Sequence, residues 1–220
     1  MATATQTVSI DAGGITLTGD LVLPDAARGV VCFAHGSGSS RHSPRNREVA
    51  EVLQRAGLAT LLIDLLGEDE ERVDRVTAEL RFDIPLLGRR VTAAVDRLGE
   101  RADTADLPLG HFGASTGAAA ALVAAAERAD RVRAVVSRGG RPDLAGDALP
   151  AVRAPVLLIV GGEDRQVLGM NEQAATELTA EHRVVVIPGA THLFEEPGTL
   201  EAAADAARDW FLGMRADGGG

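Results

Sequence analysis

The sequence predicts an α/β protein, a mostly parallel sheet wrapped by helices on both faces. Three observations carry that reading. Several strand-length runs, among them "VVCFA", "LATLLID" and "PVLLIV", are continuously apolar, as strands covered on both faces require. These runs interleave with segments whose apolar residues recur at helical spacing, the pattern of a parallel sheet with crossover helices. Finally, reactive residue types stand just after three of the runs, at the carboxyl ends where such sheets collect their chemistry.

Ile15 to Leu23, "ITLTGDLVL", alternates in period two and reads as a strand with one wet face. "GVVCFAH", Gly29 to His35, reads as a buried strand running into the loop "HGSGSS". In "SPRNREVAEVLQRAG", Ser43 is placed to cap a helix with Pro44 at its first position. Val49, Val52, Leu53 and Ala56 stripe its inner face, and Gly57 stops it. "LATLLID" is the next strand, followed by an acidic stretch, "GEDEERVDR", that reads as a mobile loop over the site. Ile84, Leu87, Val91, Ala94, Val95 and Leu98 then mark a helix. "LPLGHF" is a strand and "TGAAAALVAAAER" its helix. "VRAVVS", "PVLLIV" and "HRVVVIP" are the last three buried strands, with helices expected near Leu168 to Leu178 and along Leu200, Ala203, Ala207, Phe211 and Met214. Arg138 to Ala154 is too short for a large cap, so the site is expected to be open and covered by loops.

The chain has 220 residues, 45% of them hydrophobic, which suits one domain over 1–215 and a disordered glycine-rich tail over 216–220. A net charge of −10 argues against nucleic acid or an anionic membrane as partner. The single cysteine, Cys32, allows no intramolecular disulfide. The N-terminus shows no signal peptide, and no apolar run approaches the ~20 residues that span a bilayer. A cytoplasmic enzyme or binding protein is the expectation, with homo-oligomer formation left open. Neither a metal nor a cofactor is expected, since no cluster has metal-ligand spacing. The "GSGSS" loop lacks the lysine of a phosphate loop.

The decisive stretch is "LGHFGASTGAAAALVAAA". An apolar strand meets a helix at a corner that holds Ser115 between Gly113 and Gly117. Asp164 ends "GGED" after a later strand, and His192 ends "GATH" after the last. A serine hydroxyl is a weak nucleophile that needs a base, and histidine, whose ordinary pKa lies near neutrality, is the fitting one. A carboxylate would orient the imidazole and stabilise its charged form. Asp164 is the expected acid, with Asp143 in "RGGRPD" as the alternative. The Thr116 backbone N–H and the Ser37 N–H of the "HGSG" loop are the expected oxyanion donors. His35 is expected to shape that loop, and Asp64 to be structural. Arg41, Arg138 and Arg141, on the expected active-site side, are candidates for holding a substrate carboxylate or phosphate; solvated or ion-paired surface arginines are the plainer alternative.

On "FAHGSGSSRHSPRNR", "LLIDLL", "HFGASTGAAAAL", "VSRGGRPDLA", "LLIVGGED" and "PGATHLFEEPG", the chain resembles the α/β-hydrolase superfamily and, within it, the dienelactone-hydrolase-like branch, over roughly Val8 to Phe211. The resemblance implies the α/β-hydrolase fold and a serine hydrolase, carboxylesterase-like, acting on small esters. It departs at the nucleophile: dienelactone hydrolase proper uses cysteine, and here the corner holds Ser115, so the lactone substrate does not carry over. The alternative reading is a non-catalytic or regulatory domain that kept the fold. Domains of this kind also resemble those fused to phosphoribosyltransferases, for which a chain of this length leaves no room.

Overall fold

The computed structural model describes residues 4–214. The tail expected over 216–220 lies outside them. Eight strands form one sheet: β1 (Thr5–Asp11), β2 (Thr16–Val22), β3 (Val30–Ala34), β4 (Ala59–Ile63), β5 (Leu109–Ala114), β6 (Val132–Arg138), β7 (Val156–Gly161) and β8 (His182–Ile187). Their spatial order is β1-β2-β4-β3-β5-β6-β7-β8. β1 pairs with β2, and β2 with β4, antiparallel; every pairing from β4 to β8 is parallel. Among the described residues six α-helices accompany it: α1 (Pro44–Arg55), α2 (Glu68–Thr77), α3 (Ile84–Glu100), α4 (Thr116–Glu127), α5 (Arg165–Ala175) and α6 (Thr199–Leu212).

The sheet divides the core in two. Val49, Ala50 and Leu53 of α1 and Leu200, Ala203, Ala207 and Phe211 of α6 pack on one face against Phe33 and Phe112. Residues of α3, α4 and α5 pack on the other, against Val30, Cys32, Leu61, Val135 and Leu158. Alternate residues of each central strand therefore feed opposite layers, and β3, β4, β5 and β7 are buried at every position. Helix α4 has almost no polar face: Ala118 to Leu122, Ala124 and Ala125 are all buried. Its small side chains bring it close to α3, where a Cβ added to Gly88 would lie 2.6 Å from Val123 Cγ1.

Local chemistry sets the helix ends. Ser43 Oγ accepts from the Asn46 N–H at 3.4 Å and Pro44 opens α1. Asp83 Oδ1 accepts from the Leu86 N–H at 2.9 Å, with Pro85 inside the first turn of α3.

Three expectations are corrected. The acidic stretch after Gly67 is not a loop but helix α2. Glu68, Asp69, Glu70 and Glu71 fill its first turn, where carboxylates complement the helix dipole, and Glu70 Oε2 accepts from the Gly67 N–H at 2.9 Å. Strand β1 has no counterpart in the sequence reading. Only Val8 and Ile10 of "TQTVSID" are buried, too few to announce a strand. Strand β8 closes the sheet as an edge and is largely exposed or half-buried, whereas its valine run reads as fully covered.

The segment joining β6 to β7 is a pair of 3-10 turns over Pro142–Ala151, broken at Gly146, so no cap domain is inserted there. Among the described residues no helix is long and apolar enough to cross a membrane.

One core residue gives a pH-dependent prediction. His111 lies inside β5, fully buried, and neither ring nitrogen has a hydrogen-bond partner of good geometry. Burial pushes its pKa down to about 4, the Cys32 backbone offsetting little of that. The unfolded chain takes up a proton at His111 below its ordinary pKa of 6.5, while the folded chain resists until about 4. The stability is therefore fully present above the upper value and is lost as pH falls through the window, by about 3 kcal/mol in all. Urea titrations across that window should show His111→Leu losing less stability than the parent; parallel curves would refute it.

Candidate active site

Ser115 is the hinge between β5 and α4. Its φ of 50° and ψ of −124° lie outside the helical and extended regions, so the residue is strained. Surrounding backbone holds it there. The Ser115 N–H donates to the Arg138 carbonyl at 3.3 Å, and the Ser115 carbonyl accepts from the Ala118 N–H at 3.1 Å and the Arg141 N–H at 3.0 Å. The flanking glycines are required by contact. A Cβ on Gly113 would sit 2.4 Å from Ala118 Cα, and one on Gly117 would sit 2.3 Å from the Ala34 carbonyl oxygen.

Asp164 follows β7 and opens α5. Its side chain caps nothing; Oδ2 instead accepts a hydrogen bond from His192 Nδ1 at 2.7 Å. Asp164 is well shielded and His192 less so, at 14% and 40% side-chain exposure, so the acid is the anchored member and the imidazole reaches the surface. The loop carrying His192 is tied down by Glu196, whose carboxylate accepts from the Thr191 N–H at 3.0 Å and the Thr191 hydroxyl at 2.6 Å. Those bonds hold the Glu196 pKa below the ordinary carboxylate range.

Ser115 and His192 line one cleft of about 200 Å³, together with Gly36, Ser37, Ser39, Arg45, Asn46 and Arg138. Among the described residues the Ser115 hydroxyl forms no hydrogen bond, to His192 or to any other group. Because Nδ1 donates to Asp164, Nε2 is the nitrogen left to accept a proton.

The "HGSG" loop packs directly on Ser115: a Cβ on Gly36 would lie 3.0 Å from Ser115 Cβ. His35 shapes that loop, as its position in the sequence suggests. Nε2 accepts from the Leu65 N–H at 3.2 Å, which fixes the ring proton on Nδ1, and Nδ1 donates to the Gly36 carbonyl at 2.8 Å. With that carbonyl turned toward His35, the N–H of the same peptide, that of Ser37, points the opposite way. Burial lowers the His35 pKa and keeps the ring neutral. Neither the Ser37 nor the Thr116 N–H donates to a backbone carbonyl in these turns. Thr116 borders the small neighbouring cavity that Gly36 and Ser37 also line.

The remaining candidates separate. Asp143, the alternative acid, is engaged by Arg141, whose Nε and Nη2 bind it at 2.9 and 2.7 Å. Arg41 pairs with Asp64 and, at 3.4 Å, with Asp20. Asp64 also accepts from the Arg41 N–H at 2.8 Å, the structural role its place after β4 suggests. Arg41 and Arg141 are not among the residues lining the cleft, whereas Arg138 is. Asn46 is the residue that sequence reasoning overlooks: on a helix rich in polar residues, nothing marks the one that turns inward. Among the described residues no three His, Cys, Asp or Glu side chains converge as for a metal ion.

A family model for the dienelactone hydrolase family matches residues 17–214. The chain belongs to the dienelactone hydrolase family. A crystal structure of dienelactone hydrolase from Anabaena variabilis ATCC 29413 is 59% identical with a TM-score of 0.96, over 97% of this chain and 99% of that one. Est1E from Butyrivibrio proteoclasticus, solved with ferulic acid bound, shares the fold at 19% identity and a TM-score of 0.79, over 96% of this chain and all of that one. A dienelactone hydrolase-like promiscuous phosphotriesterase, P91, from metagenomic libraries shares it at 19% identity and a TM-score of 0.78, over 97% and 99% of the two chains. A Mycobacterium tuberculosis H37Rv protein named "Putative phosphoribosyl transferase" is 58% identical over 207 residues. Those residues are 94% of this chain and 46% of that protein, so the chain spans about half the length of the relative. The α/β-hydrolase fold read from the sequence is thus the fold of the family and of its structural neighbours.

Proposed function

We propose that this chain is a serine hydrolase that cleaves carboxylic esters of small substrates through an acyl-enzyme on Ser115. The observation that carries this is the hydrogen bond of 2.7 Å to Asp164 from His192, which lines the same cleft as the strained Ser115 corner. Membership of a hydrolase family and fold neighbours named as esterases support it.

The reaction runs in two halves. His192 Nε2 takes the Ser115 hydroxyl proton as Oγ attacks the ester carbonyl carbon. The carbonyl oxygen becomes an oxyanion, held by the Ser37 and Thr116 N–H groups, and Asp164 stabilises the imidazolium. The carbon–alkoxy bond breaks, and the proton passes from Nε2 to the leaving alcohol. Water then attacks the acyl carbon, giving its proton to Nε2; the carbon–Oγ bond breaks, the acid departs and Ser115 regains its proton. The free hydroxyl has to turn toward Nε2 for the first step, and such contacts commonly tighten only when substrate is bound. The chain's own residues supply each step, and the expected site is cytoplasmic.

A fluorophosphonate probe tests this. The parent is expected to label stoichiometrically, Ser115→Ala not at all, and His192→Ala at least about 100-fold more slowly, since the base alone contributes that much or more. A native parent that does not label would favour the non-catalytic binding domain.

A further inference from the structure

The cleft beside Ser115 is basic in an acidic protein. The chain carries a net charge of −10, yet Arg45, Arg138 and His192 line the cleft and, among the described residues, no carboxylate does. Elsewhere the buried Arg90 binds Glu70 at 2.6 Å, and the half-buried Arg81 binds Asp74 at 2.7 Å.

Arg138 departs from that pattern. It is 6% exposed, and among the described residues no Asp or Glu forms an ion pair with it. Among the described residues its side chain makes one hydrogen bond, from Nη2 to Asn46 Oδ1 at 3.3 Å; Nε is buried with no acceptor, and Nη1 makes no bond either. The guanidinium carbon stands 5.4 Å from the Phe194 ring centroid, a cation–π contact. Because Asn46 spends its oxygen on Arg138, its amide nitrogen remains as a further donor, and among the described residues it too makes no hydrogen bond. Burial and the nearby Arg45 push the Arg138 pKa down to about 10, which leaves it charged at neutral pH. A desolvated cation with no counter-ion is expensive to keep, and next to a reactive centre that expense makes sense if a ligand brings the missing charge.

Resting on the hydrolase reading above, we propose that Arg138 and Asn46, with Arg45 at the rim, form a subsite for an oxyanion group, a carboxylate or phosphate, carried by the ester substrate. Arg41 and Arg141 are excluded from it by their pairing to Asp64 and Asp143. Among the described residues Arg45, half-buried, is held only by the exposed Glu195, at 3.5 Å, so it is free to swing to an arriving anion. The small volume of the cleft favours an anion a few bonds from the scissile carbonyl.

The test compares 4-nitrophenyl hydrogen glutarate with 4-nitrophenyl valerate, which match in chain length and differ in charge. The parent is expected to favour the glutarate by at least about tenfold in kcat/KM, the order a desolvated charge-assisted contact gives. Arg138→Gln that keeps its circular dichroism and still labels with fluorophosphonate is expected to bring that ratio to within about threefold of one. Should Arg138→Gln fail to fold, Arg45→Gln at the rim is expected to lower the ratio by about threefold. Inorganic phosphate and propionate as competitors of valerate hydrolysis distinguish the two anions, and stronger inhibition by either supports the subsite. A folded, labelling parent with no preference for the anionic ester, or a ratio indifferent to both substitutions, overturns it. A parent that neither labels nor cleaves either ester refutes the hydrolase reading instead. The subsite then stands or falls on whether phosphate or propionate raises the parent's melting temperature but not that of Arg45→Gln.

Discussion

Ser115→Ala is expected to lower kcat on an activated ester by about 10⁶-fold, and Asp164→Asn by about 10⁴-fold. The two losses have different causes. In the proposed mechanism alanine removes the atom that forms the acyl bond, so only carbonyl polarisation by the Ser37 and Thr116 N–H groups and substrate binding would remain. Asparagine keeps the shape of Asp164 but offers an N–H₂ where His192 Nδ1 now finds an acceptor at 2.7 Å. The ring would then turn its unprotonated nitrogen to residue 164 and present Nε2–H to Ser115, the wrong tautomer for a base. Combining the two should cost little more than Ser115→Ala alone, because the groups act as one unit. Burst kinetics with 4-nitrophenyl acetate measure all three variants. A double mutant whose loss is the product of the single losses would show that Asp164 works independently of the serine.

Gly117→Ala is expected to destabilise the fold by about 3 kcal/mol and to reduce kcat/KM by at least about 100-fold. The added carbon would stand 2.3 Å from the Ala34 carbonyl oxygen and 2.4 Å from that of His35. Both obstacles are backbone at the end of β3, so no side chain can turn aside to relieve the contact. The displacement would travel straight into Gly36 and Ser37, moving one proposed oxyanion donor away from the reacting carbonyl. Gly169→Ala is the comparison: the position is helical, with nothing within 4 Å of an added carbon. That change should leave the melting temperature unaltered or raise it slightly, as alanine is the better helix former. Urea denaturation and ester hydrolysis read both substitutions. Equal stabilities for the two would refute the steric account of the corner.

How much of this was legible in the chain depended on whether the signal was local. The central strands announced themselves because burial on both faces demands uninterrupted Val, Ile and Leu, as in "VLLIV" of β7. Ser115, Asp164 and His192 could be named because each stands just past such a run. Helix α2 was not legible as a helix, since a run of Glu and Asp looks the same in a solvated loop, and only the first-turn position shows why it helps. The edge status of β8 depends on what lies beside it, which its own residues do not encode. The distinction among arginines was hidden for the same reason. Arg41, Arg138 and Arg141 look alike in sequence, yet Arg41 meets Asp64 and Asp20 across the fold, Arg141 meets Asp143 two positions on, and Arg138 meets Asn46, 92 positions away.

The corner at Ser115 has one more consequence. A residue kept at positive φ stores about 1–3 kcal/mol that its neighbours must contribute. In the proposed mechanism, that makes the placement of the Ser115 hydroxyl the first thing to be lost when the scaffold softens. Modest damage to the β5–β6 seam, by mutation, heat or denaturant, would let the peptide relax and silence turnover while the spectroscopic signature of the sheet persists. Enzymatic half-life, and not melting temperature, is therefore the sensitive gauge of this protein's integrity.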